Sequence, residues 1–228
     1  MSFQPAPRKK IALDSPLMKL SAPIPNQQKG RSSLVWGLRR NSVAITVWTG
    51  FDDDQNNDKG KIEAVLEGVV FSAFLELLND AIAAPGVFKD HVTYRDYSWY
   101  NRQRSQDREE KAHVYVGKDE DGTIWMSVVD AKKKERPRIK FVFGGGPNYQ
   151  FKHGDGSDYT RGQTSNLFAR AYLRMLTEIG HHYLVTEYKE PERKDNAGGG
   201  NRQGGSYNGG GNRGGGGNND TYEEDIPF

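Results

Sequence analysis

The fold class is indicated most directly by the stretch Ala112-His-Val-Tyr-Val-Gly-Lys-Asp-Glu-Asp-Gly-Thr-Ile-Trp-Met-Ser-Val-Val129. Two runs of β-branched and aromatic residues flank a polar, Gly-containing turn sequence, which is the pattern of a β-hairpin. Further strands are predicted at 34–38, 43–49, 91–100 and 138–143 by the same enrichment. The highly charged segment 101–111 is expected to be a link between strands.

Two segments show the three- and four-residue spacing of apolar side chains that is typical of a helix. The first lies within 62–84, with room for a short strand at 62–66 before it. The second is predicted at 163–179, ending at Gly180 and followed by a last strand at 183–188. The chain is therefore predicted to be mainly β with two helices, and an OB-fold-like Greek-key barrel fits this element order best.

Composition divides the chain into four segments. They are a Pro-rich, extended N-terminal arm (1–30), a folded domain (31–189), a Gly/Asn-rich flexible linker (190–219) and an acidic tip (220–228). Twelve of the twenty residues 198–217 are Gly, so this part has too little apolar surface to offset its conformational entropy. The chain has no cysteine and no pattern of a signal peptide or membrane span, which fits a cytoplasmic location.

The net charge of +2 conceals a strong segregation of charge along the chain. Residues 1–40 contain eight Lys or Arg and one Asp, whereas 220–228 contain four carboxylates and no basic residue. A basic body favours a polyanionic ligand. Because the tip is itself anionic, an intramolecular contact between the tail and the ligand groove is also expected.

Binding of unpaired nucleic-acid strands requires cations for the phosphates and flat rings on which bases stack. Two sequence regions, 94–104 and 132–151, combine both, and basic residues near the start of the domain are expected to extend the same track. The candidate nucleic-acid-binding residues are Arg31, Arg39, Arg40, Arg95, Tyr97, Trp99, Tyr100, Arg102, Arg104, Lys132, Lys133, Lys134, Arg136, Arg138, Lys140, Tyr149 and Phe151.

Several aromatic residues also fit a purely structural role. Strand alternation places Phe141 and Phe143 on one face with Ile139, so these rings are predicted to be in the core. Three tryptophans lie among apolar strand residues and are predicted core side chains: Trp36, Trp48 and Trp125. Four rings in polar or Gly-flanked surroundings fit either role: Tyr97, Trp99, Tyr100 and Tyr149.

The C-terminal residues Asp220-Thr-Tyr-Glu-Glu-Asp-Ile-Pro-Phe228 place four carboxylates around and before an apolar end. The sequence Asp225-Ile-Pro-Phe228 resembles the tip of bacterial single-stranded DNA-binding (SSB) proteins, and phage SSB proteins also end in an acidic tail with a terminal Phe. The resemblance implies a protein that coats and protects single-stranded DNA in replication, recombination and repair. It also implies recruitment of partner enzymes by the tip residues Asp220, Glu223, Glu224, Asp225, Ile226, Pro227 and Phe228.

No sequence pattern indicates catalysis. Adjacent side chains diverge at His181-His182, and the acidic loop at 52–58 lacks the Gly and closing Glu of a calcium loop. We therefore expect a non-enzyme without a metal or other cofactor. Two alternatives stay open: a Gly-rich RNA-binding protein, with Arg202, Tyr207 and Arg213 in its linker, and a metal-dependent nucleic-acid enzyme.

Overall fold

The computed structural model describes residues 11–23, 31–56, 58–101, 103–144 and 148–189. The strands of this part are β1 (Leu20–Pro23), β2 (Arg31–Arg39), β3 (Ser42–Trp48), β4 (Lys61–Glu67), β5 (Phe88–Tyr100), β6 (Gln103–Lys118), β7 (Ile124–Asp130) and β8 (Phe141–Val142). Its α-helices are α1 (Gly68–Ala83) and α2 (Arg161–Thr186). The chain divides into two units, Met1–Glu190 and Pro191–Phe228, and the second lies outside the described residues.

The strands form two antiparallel sheets of four strands each, in the orders β1-β2-β3-β4 and β5-β6-β7-β8. Helix α1 follows β4 directly and leads to β5, so it connects the two sheets. The predicted mainly β fold with two helices is confirmed, as is the short strand before the first helix. Neither helix of the described residues combines the length and hydropathy that a membrane span requires.

The hydrophobic core is built from the inner faces of both sheets and from the two helices. Strand β4 shows how: Ile62, Ala64 and Leu66 are buried, while the residues between them are partly exposed, as strand alternation requires. Helix α1 adds the fully buried rings of Phe71 and Phe74. The side chains of the first sheet that point away from this core form its outer face.

Strands β5 and β6 form a long hairpin that extends beyond the rest of its sheet. Strand β7 pairs with residues 112–118 of β6, whereas residues 95–100 and 103–110 pair with each other. We call these last two segments the hairpin arm. The prediction that 101–111 is a link is wrong, because most of this segment is β6. Segment 101–111 is highly charged because the side chains on both faces of this two-stranded ribbon are exposed to solvent.

Two other element boundaries differ from the prediction. Helix α2 continues through Gly180 to Thr186, so the expected helix end and the last strand at 183–188 are wrong. Gly180 serves helix packing: a Cβ atom there would lie 2.5 Å from a ring carbon of Phe71 on α1. The strand predicted at 138–143 is reduced to Phe141–Val142.

Part of the segment predicted as an N-terminal arm belongs to the folded unit. Strand β1 is the edge of the first sheet, and Leu13 and Met18 are fully buried before it. The hydroxyl of Tyr172 on α2 donates a hydrogen bond to the carbonyl oxygen of Met18 at 2.8 Å. The remainder of that segment, 1–10 and 24–30, lies outside the described residues.

Candidate nucleic-acid interface

The outer face of the first sheet has a floor of small side chains. Gly37, Ala44 and Val65 form one row across β2, β3 and β4, and Arg39 and Ser42 begin the next. Apart from Gly37 and its two chain neighbours, no heavy atom lies within 4 Å of a Cβ built on Gly37, so the surface is open there. A glycine inside a strand often marks a place where a ligand approaches the backbone closely.

The hairpin arm lies beside this face and encloses a groove of about 520 Å³, which we call the arginine groove. Its lining includes five arginines: Arg39, Arg40, Arg95, Arg104 and Arg108. Its aromatic residues are Tyr94, Tyr97 and Trp99, and its acidic residues are Glu67 and Asp96. The structure thus brings together two sequence regions that lie more than fifty residues apart.

The rings of the arginine groove are positioned for stacking. Trp99 is 69% exposed although it lies in a strand. The guanidinium carbon of Arg104 lies 3.9 Å from the centroid of the Tyr97 ring, and that of Arg108 lies 5.5 Å from it. Such cation–π contacts favour guanidinium groups over the aromatic face. The groove therefore presents aromatic rings and guanidinium groups in the same place.

Tyr94 lies deeper in the groove and serves as part of its wall. Its ring packs against the hydrophobic core, and its hydroxyl donates a 2.8 Å hydrogen bond to Asp96. Burial, together with this hydrogen bond, raises the pKa of the Tyr94 hydroxyl. Tyr94 is thus a neutral donor at neutral pH and keeps Asp96 in place.

A second groove of about 560 Å³, the lysine groove, adjoins the first and shares Arg39, Tyr94 and Asp96 with it. Its lining adds the lysines Lys61, Lys111, Lys132 and Lys133. Lys132 and Ser98 both donate hydrogen bonds to Glu109 of the hairpin arm, and these bonds lower the pKa of Glu109 to about 2. The loop after β7 is thereby joined to the arm. Glu109, and to a smaller extent the exposed Tyr100, raises the pKa of Lys132.

Most cations in the two grooves already face a carboxylate. Arg39 and Lys61 both contact Glu63, and Arg95 contacts Glu110 at 2.7 Å. Partial burial of Glu63 opposes its ionisation, but Lys61 and Arg39 outweigh this effect and lower its pKa. Exposed ion pairs contribute only about 0–1 kcal/mol, so a phosphate can replace such a carboxylate at small cost.

Arg136 also lines the lysine groove, but its guanidinium is buried. Its side chain is 2% exposed, and its Nε and Nη2 bind the two carboxylate oxygens of Asp54 at 2.8 Å each. Nη1 binds Asp130 at 3.0 Å. Burial opposes the charge, but Asp54 and Asp130 outweigh it and raise the pKa of Arg136. The guanidinium is therefore held inside the protein, where it fixes the loop after β7.

Four of the aromatic predictions are confirmed, and one is wrong. The buried rings are Trp36, Trp125, Phe141 and Phe143. Trp48 is 42% exposed, because it lies in the row of Ser33 and Lys61 on the outer face. The sequence already indicates this exposure, because Trp48 points to the opposite face of the strand from Val43, Ile45 and Val47. Arg108 is a further groove residue that sequence reasoning missed.

Several predicted residues lie away from these two grooves. Arg138 and Lys140 line a separate groove of about 420 Å³ with Arg161, between β1 and β8, which we call the seam groove. Arg31 begins β2, eight residues or about 26 Å from Arg39. Three exposed or half-exposed residues line none of the three grooves: Lys134, Tyr149 and Phe151, of which Phe151 packs on Phe168 at 5.7 Å.

Arg102 and the whole acidic tip, 220–228, lie outside the described residues. Among the residues that are described, no group of three or more His, Asp or Glu side chains is arranged to hold a metal ion. Compared with models of protein families, with curated proteins and with solved structures, the chain matches none of them.

Proposed function

We propose that the protein binds single-stranded DNA and coats and protects it during replication, recombination and repair. The observation that carries the proposal is the arginine groove, where five arginines lie beside Tyr97 and Trp99. Arginine attracts phosphates of any sequence. Stacking of a base on an aromatic side chain contributes about 1–3 kcal/mol and is also independent of sequence.

The exposure of Trp99 supports a preference for single strands over duplex. A stacking surface requires a base whose face is free, and the bases of a duplex are stacked on each other. The open floor at Gly37 supports the same preference, because an extended strand with splayed bases can approach the sheet there.

We keep a small barrel of the OB type as the proposed finer fold, although the strands of each described sheet follow in sequential order, without the Greek-key crossover that the sequence led us to expect. The edge strands β1 and β8 of the two sheets lie next to each other, so the sheets approach closure at this seam. Barrels of this type bind oligonucleotides on the face of their second and third strands and with the adjoining loops. The outer face of the first sheet would be that surface in this protein.

Recruitment of replication, recombination or repair enzymes is proposed on the sequence of the tip alone. At the end of the described domain, the side chain of Asn41 exchanges two hydrogen bonds, of 2.7 and 2.9 Å, with the backbone of Lys189. Asn41 follows Arg40 of the arginine groove in the β2–β3 turn. The described part of the chain therefore ends beside this turn. The resemblance places the protein in a bacterial cytoplasm, or in that of the host if a phage encodes it.

Fluorescence-quenching titrations of the full chain with oligo-dT, over a series of salt concentrations, test the proposal. We expect tighter binding of oligo-dT than of duplex, and an affinity that falls linearly with salt on logarithmic scales. Arg104→Ala should weaken binding, whereas Arg170→Ala, an exposed arginine of α2 outside the grooves, should not. Absence of binding at low ionic strength would refute the proposal. Stronger binding of oligo-U would favour the RNA-binding alternative.

A further inference from the structure

The seam groove is the most uniformly cationic of the three grooves. Its described lining contains three basic side chains, Arg138, Lys140 and Arg161, and no carboxylate. Phe51 lies on its other side. A groove with this charge fits a polyanion and is not explained by the contacts that build the core.

Two of its three cations are available to a ligand. Arg138 is exposed and forms no ion pair with any described residue. Arg161 has a side chain that is 72% exposed, and its ion pair with Asp121 is long at 3.9 Å. Lys140, in contrast, is held by Asp119 at 2.8 Å and lies over the Trp125 ring. We therefore assign phosphate contacts to the two arginines.

The seam groove lies at the end of the first sheet opposite to the arginine groove. Ala22, in its lining, pairs with Ser32 of β2, and Arg39 is seven residues further along the same strand. At about 3.3 Å per residue, the separation is about 23 Å. An oligonucleotide of about 4 nucleotides, at the lower end of single-strand site sizes, is too short to fill both grooves.

An exposed ring lies between the two grooves. Ser21 of the seam groove pairs with Ser33, and Ser33 pairs with Trp48 in the next strand. Trp48 lines a shallow groove of about 360 Å³ that also includes Lys61 and Arg39. The outer face thus presents cations, an exposed ring and cations again along one path.

We propose that the seam groove is a second contact surface for the same single strand, which crosses the outer face of the first sheet over Trp48. Long strands then engage both grooves, and short strands engage the arginine groove. The inference rests on the proposed function, since it assumes that the occupant of the arginine groove is a single strand.

The test compares two double variants of the full chain. Arg138→Ala/Arg161→Ala removes the two seam-groove arginines, and Arg170→Ala/Arg174→Ala removes two exposed arginines of α2 that line none of the grooves. Each is titrated with oligo-dT of about 4 and about 30 nucleotides. For the long strand, the seam variant should bind at least several-fold more weakly. Its salt slope should be shallower by about 1.4, or about 0.7 for each lost phosphate contact.

For the short strand, the seam variant should bind like the wild type, and the control variant should bind both lengths normally. Trp48→Ala should likewise weaken binding of the long strand alone. Equal affinity of the seam variant and the wild type for the long strand would overturn the inference, as would an equal loss for both lengths. If the wild type binds neither strand, the proposed function itself fails. Thermal melts establish that each variant is folded.

Discussion

Replacement of Arg136 by Met tests whether this residue is structural or part of the interface. Arg136 binds both carboxylate oxygens of Asp54, one oxygen of Asp130 and the carbonyl oxygen of Lys61. Asp54 is itself only 2% exposed, and another of its donors, the Thr49 hydroxyl at 2.7 Å, does not neutralise a charge. The variant therefore removes the guanidinium that faces this buried carboxylate.

The expected loss of stability follows from this geometry. Removal of one partner of a buried ion pair costs about 3–5 kcal/mol, because the other charge stays desolvated. In a domain of this size, each kcal/mol lowers the melting temperature by about 2–4 °C. Arg136→Met should therefore melt about 6–20 °C below the wild type. An exposed site should change stability by about 0.5 kcal/mol or less.

Thermal unfolding followed by circular dichroism at neutral pH measures this loss. Arg138→Met is the matched control, two residues away and exposed, and should melt close to the wild type. A double variant, Asp54→Asn with Arg136→Met, should recover part of the loss because it contains no unpaired buried charge. An Arg136→Met protein with unchanged melting but strongly reduced affinity for oligo-dT would refute the structural role.

Three further outcomes are expected. Trp99→Ala should weaken binding of a short oligo-dT about tenfold, as the loss of one stacked base implies, whereas Tyr149→Ala, equally exposed but outside the grooves, should not. Glu63→Gln should tighten binding about two- to fivefold by releasing Arg39 and Lys61, with Glu76→Gln on α1 as the charge-matched control in the same titration. Glu109, whose pKa is lowered from 4.5 to about 2, stabilises the fold above pH 4.5 and loses this effect as the pH falls towards 2. Glu109→Gln should thus melt below the wild type at pH 7 but not near pH 2.

The parts of the fold that the sequence predicts are those whose signal is local. The hairpin at 112–129 depends on alternation and on a turn within the same twenty residues, and both are legible in the sequence. The end of α2 is different. Gly180 reads as a helix terminator, and only the ring of Phe71, more than a hundred residues earlier, explains why glycine is needed inside the helix.

The same distinction applies to the candidate site. Arg136 and Arg138 belong to one basic run, yet Arg136 is buried and Arg138 is exposed. The difference arises from Asp54, 82 residues away, which no local pattern connects to the run. The prediction that Trp48 is a core residue was wrong for a different reason. Its position in the alternation of its own strand already indicated the outer face.

The carboxylates in the grooves reduce the electrostatic contribution to the binding free energy relative to the contribution from stacking. Where Glu63, Glu109 and Glu110 already neutralise Arg39, Lys132 and Arg95, a phosphate gains only the difference between two ionic contacts. The number of basic residues then overstates the electrostatic contribution, and the salt dependence should be weaker than that number implies. The remaining affinity has to come from stacking. This is why Trp99, which contributes no charge, is expected to affect binding more than any single paired cation of the grooves.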